Sequence, residues 1–137
     1  MRAMVLVMRV VKSEVRRRHP DGLSLQQFFA LAYLDRHAGA SLTDVGDLLG
    51  LSASATSKIV DQLTQRELIS RHDSADDRRR ATLCLTPDGA ATVARVNAVI
   101  LAAVSARMAD LPADACATIR TAMALLTTAF TAAPTHP

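Results

Sequence analysis

Apolar positions along the chain repeat at helical spacing in six stretches and alternate in one pair of short ones. The richest pattern lies between Ser41 and Thr86. Leu42, Val45, Leu48 and Leu49 recur at helical spacing, with Ser41 placed to cap and Asp44 three residues on, in a capping-box arrangement. Gly50 stops this helix, because glycine tolerates the left-handed turn that other residues resist. Ser52 can cap a second helix almost at once. Thr56, Ile59, Val60 and Leu63 fall on one of its faces, and Ser54, Ser57, Lys58, Asp61 and Gln62 on the other. So short a turn forces a steep crossing, which is the helix-turn-helix arrangement with its second helix open to a major groove. Leu68–His72 and Ala81–Thr86 then read as two strands, with Leu83 and Leu85 on one face. The polar, charged loop 73–80 between them reads as a wing.

The flanks are helical. Ala3–Arg18 carries a stripe of Val7, Val11 and Val15, widened by Met4 and Met8. It ends at Arg16-Arg17-Arg18 and the Pro20 and Gly22 that follow. Ser24 opens the next helix, with Gln27 at the capping-box position. Phe28, Leu31, Ala32, Tyr33 and Leu34 form its apolar face, and His37-Ala38-Gly39 closes it. Thr86 caps a long helix with Pro87 first and Gly89 in the opening turn, where a missing side chain allows close backbone packing. This helix is expected to run to about Ala109. A last helix spans Pro112–Phe130, with Ile119, Met123, Leu126 and Phe130 as its stripe. One protomer has too little surface to cover these terminal helices. A homodimer with intertwined ends covers them.

Composition refines this picture in a few places. At 137 residues the chain is one continuous domain: a lobe over 40–89, with 1–39 and 90–137 as a helical dimerisation region. Aromatic residues make up only 3%, so the core is aliphatic. The net charge of +3 does not by itself mean nucleic acid, but Arg66, Arg71, Arg78, Arg79 and Arg80 gather around the wing. Cys84 and Cys116 lie too far apart for a metal motif, and no disulfide framework exists, so a reducing, cytoplasmic setting is expected. Met1–Met8 is cut short by Arg9 and Lys12 and reads as a helix start. Val96–Ala106 is too short to span a membrane. His19, His37, His72 and His136 are scattered, and no nucleophile–base motif or phosphate loop is present. Neither enzyme, metal nor cofactor is expected.

Ser52 to Arg71, Asp77-Arg78-Arg79 and Leu85-Thr86-Pro87-Asp88-Gly89, in this order and spacing, resemble the MarR family of winged-helix transcriptional regulators. The fold class expected is therefore mainly α with a small β-ribbon, a winged helix-turn-helix flanked by terminal dimerisation helices. The resemblance implies a dimeric repressor of a pseudo-palindromic DNA operator, relieved by a small aromatic or anionic effector. Ser52, Ser54, Ser57, Lys58 and Gln62 are then candidates for the major groove and nearby phosphates. Arg79 resembles the arginine that enters the minor groove, with Asp77 steering it and Arg78 and Arg80 on phosphate. Phe28, Phe29 and Tyr33 are candidates for the effector pocket. The family usually places glycine after the second helix of the motif, and this chain has Glu67 there. A second function class, a winged helix used only for protein interaction, would need no basic wing.

Overall fold

A computed structural model describes the backbone of residues 2–18, 22–72 and 81–131, and the side chains of 5–14, 22–72 and 81–129. The elements run α1 (Arg2–Arg18), α2 (Leu25–Leu34), β1 (Ala40–Ser41), α3 (Leu42–Leu49), α4 (Ala53–Gln65), β2 (Ile69–His72), β3 (Thr82–Leu85), α5 (Pro87–Met108) and α6 (Ala113–Thr131). The chain is thus mainly helical with a small antiparallel sheet. Two compact units divide it, Met1–Ala103 and Val104–Pro137.

In the first unit, three serines start three helices. Ser24 and Gln27 form a reciprocal capping box on α2, and Ser41 and Asp44 form another on α3. The Ser52 hydroxyl accepts the Ala55 N–H at the start of α4. Asp44 receives hydrogen bonds from the Ser41 N–H and hydroxyl, which hold its carboxyl below the usual value of 3.8. The nearby charge of His37 lowers it further.

The sheet order is β1-β3-β2, with Ala40 opposite Leu83, Ser41 opposite Thr82 and Ile69 opposite Leu85. Strand β1 is absent from the sequence reading, because two residues leave no alternation to detect. It has a structural consequence: Ser41 pairs with the wing strand and caps α3 at the same time. The α2 helix ends with its apolar run at Leu34, before the His37-Ala38-Gly39 stretch expected to close it. The chain leaves it at Asp35 and turns so that the Gly39 N–H reaches the Leu83 carbonyl at 3.0 Å.

The core is aliphatic. Leu31, Leu34, Val45, Val60, Leu63, Leu83 and Val93 come from several elements and are all but fully buried. Each such side chain stabilises the fold by about 1.5–3 kcal/mol relative to exposure. A second cluster joins Phe28 and Val96, with Val11 and Ile100 packed against it, so α1 and α5 meet on α2.

The turns that end α3 and α4 share one hydrogen-bond pattern. After α3 the Leu51 N–H reaches the Gly46 carbonyl at 3.0 Å and the Gly50 N–H reaches Asp47 at 3.2 Å. After α4 the Leu68 N–H reaches Leu63 at 3.0 Å and the Glu67 N–H reaches Thr64 at 2.9 Å. Both are Schellman closures, which need one residue in the left-handed region. Gly50 fills it in the first case, at φ 62°, and Glu67 in the second, at φ 57°.

This second turn is tied to the start of α5. The Thr86 hydroxyl donates to the Glu67 carbonyl at 2.6 Å and accepts the Gly89 N–H at 3.0 Å. The Thr86 N–H donates to the Leu68 carbonyl at 3.2 Å. A Cβ on Gly89 would lie 2.0 Å from that Leu68 oxygen, so only glycine permits the approach. The end of α4 and the beginning of α5 therefore form one rigid joint.

Helix α5 is 22 residues long, and by length and composition alone it could cross a bilayer, a longer apolar run than the sequence reading assigned. Its first three turns bury Gly89, Thr92, Val93 and Val96. In the second unit the Cys116 N–H donates to the Pro112 carbonyl, and α6 exposes Ile119, Met123, Leu125 and Leu126.

Candidate nucleic-acid interface

Helix α4 buries Thr56, Ile59, Val60 and Leu63 and turns its other face outward. Thr56 is fully buried because its hydroxyl donates to the Ser52 carbonyl at 3.0 Å, which satisfies the group without water. The outward face begins at the capped N-terminus. Ser52 and Ser54 are exposed, and their hydroxyls share a hydrogen bond at 3.3 Å. The α4 N-terminus also carries the partial positive charge of a helix start, suited to a phosphate. Ser57 is half-buried and its hydroxyl donates to Asp61 at 3.5 Å. Lys58 is exposed, one turn further on from Ser54.

Gln62 is exposed but engaged. Its Oε1 accepts a hydrogen bond at 2.9 Å from Nε2 of Gln27 on α2. Gln27 is buried and its own Oε1 accepts the Ser24 N–H at 2.8 Å. Sequence reasoning assigned Gln27 the cap alone. The second end of its amide reaches a residue 35 positions away, and no local pattern signals that.

Beside α4, strands β2 and β3 form the base of the wing, with His72 opposite Thr82 at the last described pair. The Thr82 hydroxyl donates to the His72 carbonyl at 3.3 Å, which holds the two strand ends together. Asp77, Arg78, Arg79 and Arg80 lie outside the described residues. Leu63 and Leu68, at the end of α4 and before β2, share one buried cluster with Leu83 of β3, so the helix face and the ribbon base are anchored on one core.

The three aromatic candidates divide between core and groove, with the Phe28 and Phe29 rings 6.0 Å apart at the boundary. Phe28 is buried in the cluster with Val96. Phe29 and Tyr33 line a groove of about 390 Å³ with Ala32, Arg36, His37 and Leu48. The Tyr33 and His37 rings stack at 4.3 Å and 11°, and His37 Nδ1 lies 3.1 Å from the Tyr33 carbonyl, where its N–H donates. Arg36, His37 and Leu48 were not among the sequence candidates for the pocket. Leu48, one of the apolar positions at helical spacing in α3, is 49% exposed, at the groove's edge. Elsewhere, Cys84 and Cys116 are free and half-buried. No cluster of three His, Cys, Asp or Glu side chains is found among the described residues.

Comparison with known proteins agrees with this fold. A family model described as the MarR family matches residues 21–80. The HTH-type transcriptional repressor MdtR of Bacillus subtilis is 32% identical over 69 residues, which is 50% of this chain and 44% of that protein. The chain spans about half the length of the curated relatives it matches. The reduced form of MarR from E. coli superposes with a TM-score of 0.77 at 19% identity, covering 91% of this chain and 93% of that one. A point mutant of S. aureus MepR, bound to an oligodeoxyribonucleotide, superposes at 0.68 with 17% identity, covering 94% and 93%.

Proposed function

Because this chain belongs to the MarR family of winged-helix transcriptional regulators, we propose that it is a sequence-specific DNA-binding regulator, a homodimeric repressor relieved by a small effector. The observation that carries the reading is the outward face of α4. Ser52, Ser54 and Lys58 stand exposed on a capped helix whose opposite side is locked into the core. Hydroxyls and the helix N-terminus suit phosphate, and Lys58 suits guanine or phosphate. Arg79 is assigned to the minor groove beside it, with Asp77 steering it and Arg78 and Arg80 on phosphate, on the sequence resemblance alone. The MepR complex with an oligodeoxyribonucleotide supports the DNA reading, and the repressor name of MdtR supports the direction of control. Such a regulator works in the cytoplasm, on the chromosome.

The dimer reading rests on uncovered apolar side chains. Val5, Leu6 and Val7 of α1, Leu101 of α5, and Met123 and Leu125 of α6 are each more than half exposed. A second copy supplies the cover these helices lack. Two copies then present two α4 helices about 34 Å apart, matching half-sites one turn apart on DNA. The effector reading rests on the groove at Phe29, Tyr33, Arg36 and His37, where an aromatic stack lies beside a cation, a fit for a small aromatic carboxylate. A ligand there would press on α3 through Leu48 and change the spacing of the two α4 helices.

The test is gel shift and ultracentrifugation of the whole protein on DNA selected from random duplexes, with benzoate as the effector probe. A dimer on a pseudo-palindrome is expected, with affinity falling steeply as salt rises. Replacing Lys58 by alanine should flatten the log–log salt slope by about one unit for each phosphate that the lysine neutralises in the parent. A monomer that binds DNA fully would overturn the dimer. Failure to bind any duplex would leave the protein-interaction module as the better reading. Binding indifferent to benzoate and similar acids would remove the effector role of the groove.

A further inference from the structure

We infer that Gln62 meets DNA with its amide nitrogen outward, as a hydrogen-bond donor, and that Gln27 is the positioning residue that sets it so. The inference rests on the reading that α4 enters the major groove. Its chemistry starts from a group that cannot turn round. The Ser24 backbone N–H only donates, and it donates to Oε1 of Gln27 at 2.8 Å. That fixes the Gln27 oxygen toward Ser24 and leaves its Nε2 pointing the other way. Nε2 only donates as well, so the atom of Gln62 that faces it must be an acceptor. The structure places Oε1 of Gln62 there, at 2.9 Å.

A rotation of the Gln62 amide by half a turn would set NH2 against NH2. Gln27 is only 7% exposed, so water cannot readily relieve that clash. The end of Gln62 left for a partner is Nε2, which has no acceptor among the described residues and belongs to an exposed side chain. A chain of three groups thus gives a surface amide a fixed polarity. An unheld glutamine can present either end to a base. Gln62 presents a donor.

The major groove turns this polarity into a preference. Guanine offers two acceptors, O6 and N7, and thymine offers O4. Cytosine offers only the N4 donor, which repels an N–H, and adenine sets its N6 donor beside a single acceptor, N7. Gln62 should therefore favour guanine or thymine at one position in each half-site and reject cytosine.

The experiment is selection from randomised duplex DNA with the full-length protein, followed by affinities for sites differing only at that position. In the parent, replacing Gln62 by alanine should erase discrimination at one position per half-site. The decisive variant is Gln27→Glu. A glutamate there still accepts the Ser24 N–H, so the capping box survives. It has no donor for Gln62, so Gln62 turns its nitrogen inward and its oxygen outward. Preference at that position should then invert toward cytosine or adenine, whose N4 and N6 amino groups donate, by about five- to tenfold. Gln27→Leu removes the hold altogether and should flatten the preference while keeping the rest of the motif. It decides the question if Gln27→Glu does not fold.

A role for Gln27 in stability alone predicts uniform weakening on all sequences, with no change of preferred base. Such a result, or selection of the parent's base by Gln27→Glu, overturns the inference. A parent that selects a motif insensitive to Gln62→Ala overturns it too, while leaving the DNA-binding reading intact. A parent that selects no motif overturns both.

Discussion

The joint between α4 and α5 makes the most direct prediction. Gly89→Ala adds one methyl, and its carbon would lie 2.0 Å from the Leu68 carbonyl oxygen and 3.0 Å from the Leu68 carbonyl carbon. An ordinary carbon–oxygen contact is about 3.3–3.6 Å, so the two backbones must separate by more than about 1 Å. Neither neighbour is the tip of a flexible side chain. Three hydrogen bonds cross or close this gap: Thr86 N–H to Leu68, Thr86 hydroxyl to Glu67, and Gly89 N–H to the Thr86 hydroxyl. At about 1 kcal/mol each, breaking them removes about 3 kcal/mol. Alanine's better helix propensity returns at most about 1 kcal/mol. The net cost is about 2 kcal/mol, before any loosening of Val93 and Val96 in the core. Urea denaturation at one fixed protein concentration measures it, since a dimer's midpoint moves with concentration. Thr86→Val supplies the cross-check. It removes the two hydroxyl bonds, and the double variant should cost less than the sum of the singles, because both open the same joint. A Gly89→Ala midpoint indistinguishable from the parent, or strict additivity with Thr86→Val, would refute the close approach as the reason for glycine here.

Two further predictions follow from the same region and from the α3 cap. Glu67→Gly should leave stability unchanged or raise it by up to about 1.5 kcal/mol: the left-handed residue is relieved of about 1–2 kcal/mol of strain, less the added freedom of glycine in the unfolded chain. Glu67→Ala should move the urea midpoint little, since Cβ remains, and a clear loss in either variant would mean that the glutamate side chain itself holds the turn. Asp44 has its carboxyl held below 3.8 in the folded state by Ser41 and, less strongly, by His37, so its contribution is present above 3.8 and is lost as pH falls through the lower folded value. Asp44→Asn should therefore be less stable than the parent near neutral pH and approach it in acid, as read from urea midpoints across that range. A gap that widens in acid contradicts the sign.

What was legible in the sequence is what local chemistry decides. Ser24, Ser41 and Ser52 announce their helices because a cap needs only a hydroxyl and a nearby N–H, both within three residues. The buried stripe of α4 and the unburied face opposite follow from period alone. Glu67 was legible as a departure, yet its backbone angle was not: a strained left-handed turn and a different helix ending fit the same letters. The structure separates them, because the closing bonds of α4 match those of α3, where Gly50 does the same job. Phe28 and Phe29 mark the limit of periodicity. Adjacent helical residues point about 100° apart, so both can sit on the edge of one wide apolar face. Only the arrival of Val96 from α5 decides that Phe28 is core, while Phe29, packed against the same cluster, also lines the groove. The Gln27–Gln62 contact is further out of reach still. It depends on how α2 crosses α4, a crossing set by buried leucines and valines far apart in the sequence, with Gln27 buried beside them on α2. The polarity of a surface amide is thus fixed from inside the molecule, by a backbone N–H on another helix.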